Sequence, residues 1–337
     1  MVIEKIDAIT QEEWLLCNEY NRKITEEFLR NSTQLSPKTI DSYRSNLMIW
    51  FNYVRQNLDN KSQIDIKSRD YMFYQNWLIN LDHSSSDITN KRAAISSLNN
   101  YIVLFYSDIH ETFKNFIVRG MPRPEKSLVH EKHPPTKDEF SNLISELEKR
   151  EEWQKIAWLK FSFDSASRRA ESRQLLKEII DYKPIIKTKS IILEDGTEDT
   201  KTILYYQTHK IRCKGKGRTG SVRKLRFSQD TMDAIKKWLD VRGEDNCEYI
   251  FVAKDSKTVN QISESALNVW CSGLFSDIVG RRIYPHCLRS ARATSIVVED
   301  GKDIEAAQFL LGHRSSETTK HYVIKDEDDS EIEDLFG

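Results

Sequence analysis

The sequence predicts a mainly α-helical protein with a small antiparallel β-sheet, divided into an all-helical N-terminal domain and a mixed α+β C-terminal domain. Three observations support this prediction. Apolar residues recur at three- and four-residue spacing through the first 120 residues, which is typical of helices. Between about residues 184 and 228, β-branched and aromatic residues alternate with polar ones, which is typical of strands. A length of 337 residues is enough for two domains with separate cores.

The N-terminal domain, residues 1–120, is predicted to contain five helices. Thr10 and Glu13 form a capping-box pattern that opens a helix reaching about residue 29. Ser36 before Pro37 is an N-cap followed by proline at the first helical position, and this helix runs to about residue 56. Its predicted apolar face consists of Ile40, Tyr43, Leu47, Trp50 and Tyr53. The other helices are predicted over 68–81, 88–107 and 108–118.

A proline-rich polar segment is predicted to be an extended linker over residues 121–135, because proline cannot continue a helix. The C-terminal domain follows over residues 136–323, and Thr136 with Glu139 forms a second capping box at its start. An antiparallel sheet of about three strands is predicted between residues 184 and 228. The predicted helices are 137–150, 151–164, 229–243, 259–277, 286–299, 303–311 and 316–323. Residues 324–337 form an acidic tail.

The formal net charge of −1 argues at first sight against a nucleic-acid partner, since domains that bind nucleic acids usually carry a basic excess. The charges are unevenly distributed, however. Residues 201–228 contain nine Lys and Arg residues and no acid, whereas residues 325–337 contain seven acids and one base. Without those last residues the net charge is +5. The neutral total therefore does not exclude DNA as a partner.

Other composition features exclude several classes of protein. No apolar run approaches the roughly 20 residues of a membrane helix, and the N-terminus lacks the pattern of an export signal. The five cysteines are scattered and form no C-x-x-C pair, which favours reduced thiols over disulfides or a zinc site. We therefore expect a cytoplasmic protein that needs no metal ion and no cofactor.

Four short patterns could carry chemistry. Arg168 stands three residues before Glu171, a basic glycine-rich hairpin spans residues 210–226, and His286 lies one helical turn before Arg289. In the fourth pattern Gly312 and His313 precede Tyr322, whose hydroxyl is a possible covalent nucleophile. Each pattern alone also has a structural interpretation: a surface ion pair, a solvated basic face, a chance His-x-x-Arg, and a structural tyrosine with a capping histidine.

Taken in this order and spacing, the four patterns resemble the tyrosine recombinase (phage integrase) family. The sequences around Ser36 and Asn90 are similar to the family's helical core-binding domain, so that the resemblance covers about residues 10–323. The chain departs from the family pattern at Ala166-Ser167, where Thr-Gly is usual, and at Ser290, where His is frequent. Because Arg169 directly follows Arg168, the catalytic arginine could be either one.

The resemblance implies two-domain architecture and a role for each site residue. Tyr322 would attack the scissile phosphate, giving a 3′-phosphotyrosine and a free 5′-hydroxyl. Arg168 and Arg289 would clamp the phosphate, His286 would assist proton transfer, and His313 would bind a non-bridging oxygen. Lys216 would protonate the leaving oxygen, with Lys214 as the alternative. Glu171 is expected to orient an arginine.

DNA contacts are predicted for basic residues outside this catalytic set: Lys38, Arg44, Lys91, Arg92, Lys214 and Arg218. On helices, such residues could equally form an ordinary solvated polar face. The resemblance also implies a homo-tetramer on two DNA duplexes. We expect the acidic tail to dock on a neighbouring protomer through Ile332, Leu335 and Phe336, although a disordered tail would have the same composition.

The predicted function is therefore site-specific DNA recombination for a mobile element. Two alternatives use the same fold or chemistry: a type IB topoisomerase, and a DNA-binding protein without catalytic activity. The core-binding-like N-terminal half argues against the first alternative, and the complete set of catalytic residues argues against the second.

Overall fold

The computed structural model describes residues 6–125, 133–192, 197–215, 220–254, 258–313 and 315–323. The chain divides near residue 130 into two compact units. The predicted fold class is confirmed, since both units are built mainly from helices and the second also contains small antiparallel sheets. No helix within the described ranges is long and apolar enough to span a bilayer. The acidic tail lies outside the described residues, and the bounds of the domains and linker stay a prediction.

The first unit contains five α-helices among its described residues: α1 (Gln11–Leu16), α2 (Glu19–Asn31), α3 (Pro37–Asn57), α4 (Ser68–Asn80) and α5 (Ser85–Phe105). The prediction of a single helix over residues 10–29 is wrong, because the backbone adopts an extended conformation at Cys17 (ψ 155°) and ends the first helix there. The side chain of Asn18 then caps α2 by accepting a hydrogen bond of 3.0 Å from the Tyr20 amide. The capping box of Thr10 and Glu13 is present.

The prediction of a helix over 108–118 is also wrong, because these residues form turns and bends. The side chain of Asn115 organises them. It donates to Ser96 Oγ (2.9 Å) and accepts from the Ile117 amide (3.0 Å). An asparagine that bonds its own backbone in this way competes with helix formation.

The core of the first unit is centred on α3. Leu47 and Trp50 are fully buried, Tyr53 is nearly so, and Ile40 and Tyr43 pack at its edge, which confirms the predicted apolar face. The indole of Trp50 lies 4.9 Å from the Tyr74 ring and donates to Gln63 Oε1 at 3.0 Å. The buried polar atom of this large aromatic core residue is therefore satisfied.

The second unit contains nine described α-helices: α6 (Lys137–Lys149), α7 (Trp153–Asp164), α8 (Arg169–Ser172), α9 (Gln229–Arg242), α10 (Glu264–Trp270), α11 (Ser276–Val279), α12 (Pro285–Thr294), α13 (Ile304–Leu311) and α14 (Ser316–Lys320). Two π-helical turns, Cys271–Phe275 and Ser295–Glu299, follow α10 and α12. The predicted helix over 259–277 begins too early, because residues 259–261 are a strand.

The strands of the second unit form three separate antiparallel sheets: β1 (Ile185–Ile192), β2 (Glu198–Gln207) and β5 (Arg226–Phe227) in one, β3 (Ile211–Cys213) and β4 (Ser221–Arg223) in another, and β6 (Val252–Lys254) and β7 (Val259–Gln261) in the third. The first two sheets arise from the predicted β segment. The third pair is not predicted by the sequence pattern, because its strands have only three residues each.

Two groups of buried residues hold the second unit together. The larger one packs Trp158 and Phe161 of α7 against Leu288 of α12 and the residues of α9. The smaller one consists largely of small side chains from α12, α13 and the turn before α8. Small side chains allow the backbones to approach closely, and this second group lies directly beneath Tyr322.

Candidate active site

Arg168 is placed by the turn that leads into α8. It is the N-cap of this helix, and Glu171 reaches back to accept from its backbone amide at 3.1 Å. The Arg168 guanidinium also donates to Glu171 Oε1 at 2.8 Å. In the turn itself, Ala166 adopts a left-handed φ of +46°, a conformation that favours glycine.

Arg169 points away from this cluster. It donates to Glu264 Oε2 at 2.9 Å and to Asn268 Oδ1 at 2.7 Å, both in α10. Of the two adjacent arginines, only Arg168 therefore faces Glu171. That Arg168 is the catalytic arginine stays a prediction.

Glu171 has no exposed surface and binds two guanidinium groups. In addition to Arg168, it accepts from Arg223 of β4 at 2.7 Å. Burial alone would raise the pKa of Glu171, but the contacts with Arg223 and Arg168 outweigh it and hold the pKa below its ordinary value. The carboxylate is thus ionised at neutral pH.

Arg223 is a site residue that the sequence reasoning did not single out. Its Nη1 donates to the Leu310 carbonyl at 2.6 Å, so it links Glu171 to the end of α13. Gly312, with φ +65°, follows that end, and a Cβ atom there would lie 2.8 Å from Arg223 Nη1. The only sequence signal for Arg223 is its place in a basic run, which does not distinguish it from its neighbours.

Arg289 is fully buried on α12. Its guanidinium donates to the carbonyl oxygens of Ala166 and Leu311, the latter at 2.6 Å, and to His313 Nε2 at 2.9 Å. Burial, followed by repulsion from Arg168 and Arg223, lowers the pKa of Arg289 to about 10. The group therefore keeps its positive charge at neutral pH.

His313 is held between Arg289 and Thr319. Since Nε2 accepts from Arg289, the ring proton lies on Nδ1, which faces Thr319 Oγ1 at 3.0 Å. Burial, together with the charges of Arg289 and Arg168, lowers the pKa of His313 to about 4. The imidazole is thus neutral at physiological pH.

Tyr322 lies between the two histidines. Its hydroxyl is 2.7 Å from Nε2 of His286, which is exposed at the start of α12. Its ring centroid is 4.8 Å from that of His313 and 5.3 Å from the guanidinium carbon of Arg289. The structure therefore brings Arg168, His286, Arg289, His313 and Tyr322 into one cluster, and their catalytic roles stay a prediction.

Of the two lysine candidates in the hairpin, Lys214 is among the described residues and Lys216 is not. Lys216 lies outside the described residues, as does Arg218. Lys214 is exposed at the end of β3, and its carbonyl accepts from Ser221 Oγ at 2.9 Å. The choice between Lys214 and Lys216 stays open.

Two of the predicted DNA contacts are corrected by the structure. Lys91 is buried and donates to Asp87 at 2.7 Å and 2.8 Å. Arg92 is buried too, and it donates to the Pro122 carbonyl at 3.0 Å. The prediction that these side chains lie on a solvent-facing polar surface is wrong, because α5 packs this face against its own unit. Lys38 is exposed on α3.

The cluster combines three guanidinium groups with one carboxylate, so it carries an excess of positive charge around a tyrosine hydroxyl. Such a site suits a phosphate whose negative charge increases during displacement. Within the described ranges, no group of three or more His, Cys, Asp or Glu residues is arranged to hold a metal ion.

Known proteins of similar sequence include recombinases. The sequence model of the phage integrase family matches residues 135–328. The SPbeta prophage-derived recombinase-like protein YomM of Bacillus subtilis (strain 168) is 33% identical over 327 residues, which cover 96% of this chain and 92% of that protein. The tyrosine recombinase XerC of Shewanella sp. (strain ANA-3) is 31% identical over 124 residues, 36% of this chain and 40% of XerC.

Solved structures share the fold at low sequence identity. The XerH site-specific recombinase bound to palindromic difH substrate superposes with a TM-score of 0.62, at 16% identity and over 99% of this chain and 97% of that one. The Tn1549 transposon integrase in complex with transposon right end DNA gives a TM-score of 0.61, at 14% identity and over 94% and 99% of the two chains.

Proposed function

The chain belongs to the phage integrase family and is a tyrosine site-specific recombinase, and on that premise we propose how its residues divide the reaction. The observation that carries the proposal is the 2.7 Å contact between the Tyr322 hydroxyl and His286 Nε2 beside two arginines. The substrate is double-stranded DNA at the ends of a prophage or another mobile element.

Tyr322 is the nucleophile. Its oxygen attacks the scissile phosphorus while its proton passes to His286 Nε2, and the bond from phosphorus to the 5′-oxygen breaks. The products are a 3′-phosphotyrosine and a 5′-hydroxyl. Attack by the 5′-hydroxyl of a partner strand reverses the step, so no external energy source is consumed.

Arg168 and Arg289 bind the non-bridging oxygens and stabilise the charge that develops on the phosphorane. Arg289 has no exposed surface in this state, and the Tyr322 ring covers its guanidinium. A phosphate can therefore reach Arg289 only after that ring has moved. We propose that entry of the DNA strand displaces the ring and brings the hydroxyl into line with the leaving oxygen.

His313 and Glu171 are assigned supporting roles. His313 orients Arg289 in the DNA-free state. It can donate from Nε2 to a non-bridging oxygen once the arginine has turned to the phosphate and the ring proton has moved from Nδ1 to Nε2, with Thr319 Oγ1 then donating to Nδ1. Glu171 fixes Arg168 and Arg223 and does not take part in the chemistry. Protonation of the leaving 5′-oxygen is assigned to Lys216, with Lys214 as the alternative, and the reaction as proposed uses no cofactor.

DNA contacts outside the catalytic cluster are proposed for Lys38, Arg44, Lys214 and Arg218. Arg44 is paired with Glu26, at 43% side-chain exposure, and must exchange this partner for a phosphate. The burial of Lys91 and Arg92 removes both from the set. We also propose that the active assembly is a homo-tetramer on two duplexes, with the acidic tail docked on a neighbouring protomer.

The test uses nicked duplexes that tile the DNA flanking the element in which the coding sequence lies. A nick close to the cleavage point lets the short 5′-hydroxyl fragment diffuse away, so the covalent protein–DNA adduct accumulates and survives denaturing electrophoresis. We expect the adduct with the parent protein and none with Tyr322→Phe. Recombinant products from paired sites distinguish recombination from nicking and closing. If Tyr322→Phe forms as much adduct as the parent, the assignment of the nucleophile is wrong.

A further inference from the structure

The hairpin of β1 and β2 is a two-stranded ribbon that extends beyond the sheet to which it belongs. The two strands pair over eight residues each, from Ile185 opposite Tyr205 to Ile192 opposite Glu198. The third strand, β5, pairs only with Tyr206 and Gln207 at the root. At about 3.3 Å per residue, the ribbon is roughly 25 Å long.

Both faces of this ribbon are exposed. Residues 186–190 of β1 are all exposed, and so is each of the residues 197–200 and 202–204. Ile186 and Leu204 expose 62% and 39% of their surface. An isolated two-stranded hairpin is only marginally stable in water, because neither face buries apolar surface. A ribbon of this length is therefore expected to have a partner.

The lysines of β1 lie on one face of the ribbon, and the acids of β2 lie nearer the tip, Asp199 on the same face and Glu198 on the other. Lys187 and Lys189 are two residues apart and so lie on the same face. The other face contains the uncharged pairs Thr188–Thr202 and Ser190–Thr200. Two exposed lysines on one face of the stem indicate an anionic partner.

The basic residues lie in the stem of the ribbon, the part between its root at β5 and its tip, so the stem is where an anionic partner would bind. The acids Glu198 and Asp199 lie toward the tip, at the far end from β5. Lys187 and Lys189 are about 6.6 Å apart along the strand. The phosphates of one strand advance about 3.4 Å each along the axis of a DNA duplex, so this spacing corresponds to about two axial steps. The stem can therefore meet the backbone of a duplex while the acidic tip points beyond it.

The root of the ribbon also lies beside the catalytic cluster. Gln207, the last residue of β2, lines a groove of about 240 Å³ together with Arg223 and Gly312. Lys224 and Arg226 contribute further positive charge to the same groove. A DNA strand that is bound at the cluster thus passes close to the start of the ribbon.

We propose that the β1–β2 ribbon is a DNA-binding arm whose Lys187 and Lys189 contact the phosphate backbone of the target duplex away from the cleavage point. This inference rests on the proposed function, since it requires that the protein binds duplex DNA. The contact is independent of sequence and adds affinity through the release of counterions.

The test measures how binding to a fluorescein-labelled duplex of random sequence depends on salt concentration. Each phosphate contact contributes about −0.9 to the slope of log K against log salt concentration. For Lys187→Ala combined with Lys189→Ala, we expect the slope to become shallower by about 1.8. The double substitution to Arg should restore the slope of the parent protein.

The matched control removes two other exposed lysines of the same unit, Lys149→Ala and Lys302→Ala. Each has a carboxylate partner, Glu146 at 2.6 Å and Asp300 at 3.5 Å, and we expect the slope to stay unchanged. A parent protein that binds this duplex without salt dependence would contradict the proposed function itself.

Two results would contradict the DNA-binding role of the ribbon and leave the proposed function intact. One is that the Lys187 and Lys189 double variant has the salt-dependence slope of the parent protein and forms the covalent adduct normally. The other is a parental slope in that variant while Ile186→Thr with Leu204→Thr weakens self-association in sedimentation. The second result would make the ribbon a contact between protein copies.

Discussion

The change of Glu171 to glutamine tests whether one buried carboxylate organises the active site. Glu171 is fully buried and accepts hydrogen bonds from the Arg168 backbone and side chain and from the Arg223 side chain. Glutamine has nearly the same shape but is neutral, and one of its two terminal groups is a donor. That NH2 group must face a guanidinium, so at least one charge-assisted hydrogen bond is replaced by a contact between two donors.

The size of the effect follows from these contacts. Breaking a buried ion pair by neutralising one partner costs about 3–5 kcal/mol. Arg168 and Arg223 keep 27% and 18% of their side-chain surface exposed, so water can partly solvate them and we expect the lower end, about 3 kcal/mol. For a unit of this size, 1 kcal/mol shifts the melting temperature by roughly 2–4 °C. The second unit should therefore melt roughly 6–12 °C lower.

The assay is differential scanning calorimetry, in which the transitions of the two units can be followed separately. The matched control is Glu264→Gln, because Glu264 pairs with Arg169 but is 31% exposed, and such pairs contribute at most about 1 kcal/mol. DNA cleavage should also decrease for Glu171→Gln and not for the control. If both variants melt at the same temperature and cleave at the parental rate, Glu171 does not hold the arginines in place.

Three further predictions concern the same cluster. Gly312→Ala should destabilise the second unit by about 1–2 kcal/mol in urea unfolding and slow cleavage, because φ is +65° and the new Cβ would displace Arg223. Since the pKa of His313 is lowered to about 4 in the fold, its neutral form adds stability that is complete above about pH 6.5. That stability is lost as the pH falls from 6.5 through 4. An NMR titration of the His313 imidazole in the folded protein should have its midpoint at about pH 4. Arg168→Gln should abolish adduct formation, whereas Arg169→Gln should retain it.

The elements that the sequence predicted well are those specified by local chemistry. The capping boxes at Thr10 and Thr136 and the N-cap at Ser36 all form, because each depends on residues only three positions apart. The helix break at Cys17 was missed although Asn18 is a good cap, since the apolar spacing continues across it. The turns around Asn115 depend on contacts with α5 that no local pattern contains.

The site was predictable to the extent that its residues stand in short patterns. His286 and Arg289 share one helix face, and their meeting with Tyr322 follows from the family resemblance. Arg223 was not predictable, because its partners lie 52 and 87 residues away in the sequence. Lys91 was predicted on a polar face for the opposite reason, since its partner is close in the sequence. A charged residue in a helix gives no sign of being buried when its partner, Asp87, lies on the same helix.

The partners of the buried arginines indicate which of them is available to a substrate. Arg242 is buried and bound by both carboxylate oxygens of Asp245, so its charge is neutralised within the fold. Arg289 is equally buried, but its described partners are two carbonyl oxygens and the neutral His313. Carbonyl groups fix the orientation of a guanidinium without cancelling its charge.

The charge of Arg289 is only partly balanced, because burial and the charges of Arg168 and Arg223 lower its pKa more than Glu171 raises it. A buried cation that no carboxylate contacts directly destabilises the fold, and a bound phosphate would reduce that penalty. The positive charge of Arg289 therefore stays available to attract the phosphate of a DNA strand. This local charge also explains why a chain with a formal charge of −1 can act on a polyanion, since the charge that attracts the phosphate is local and oriented.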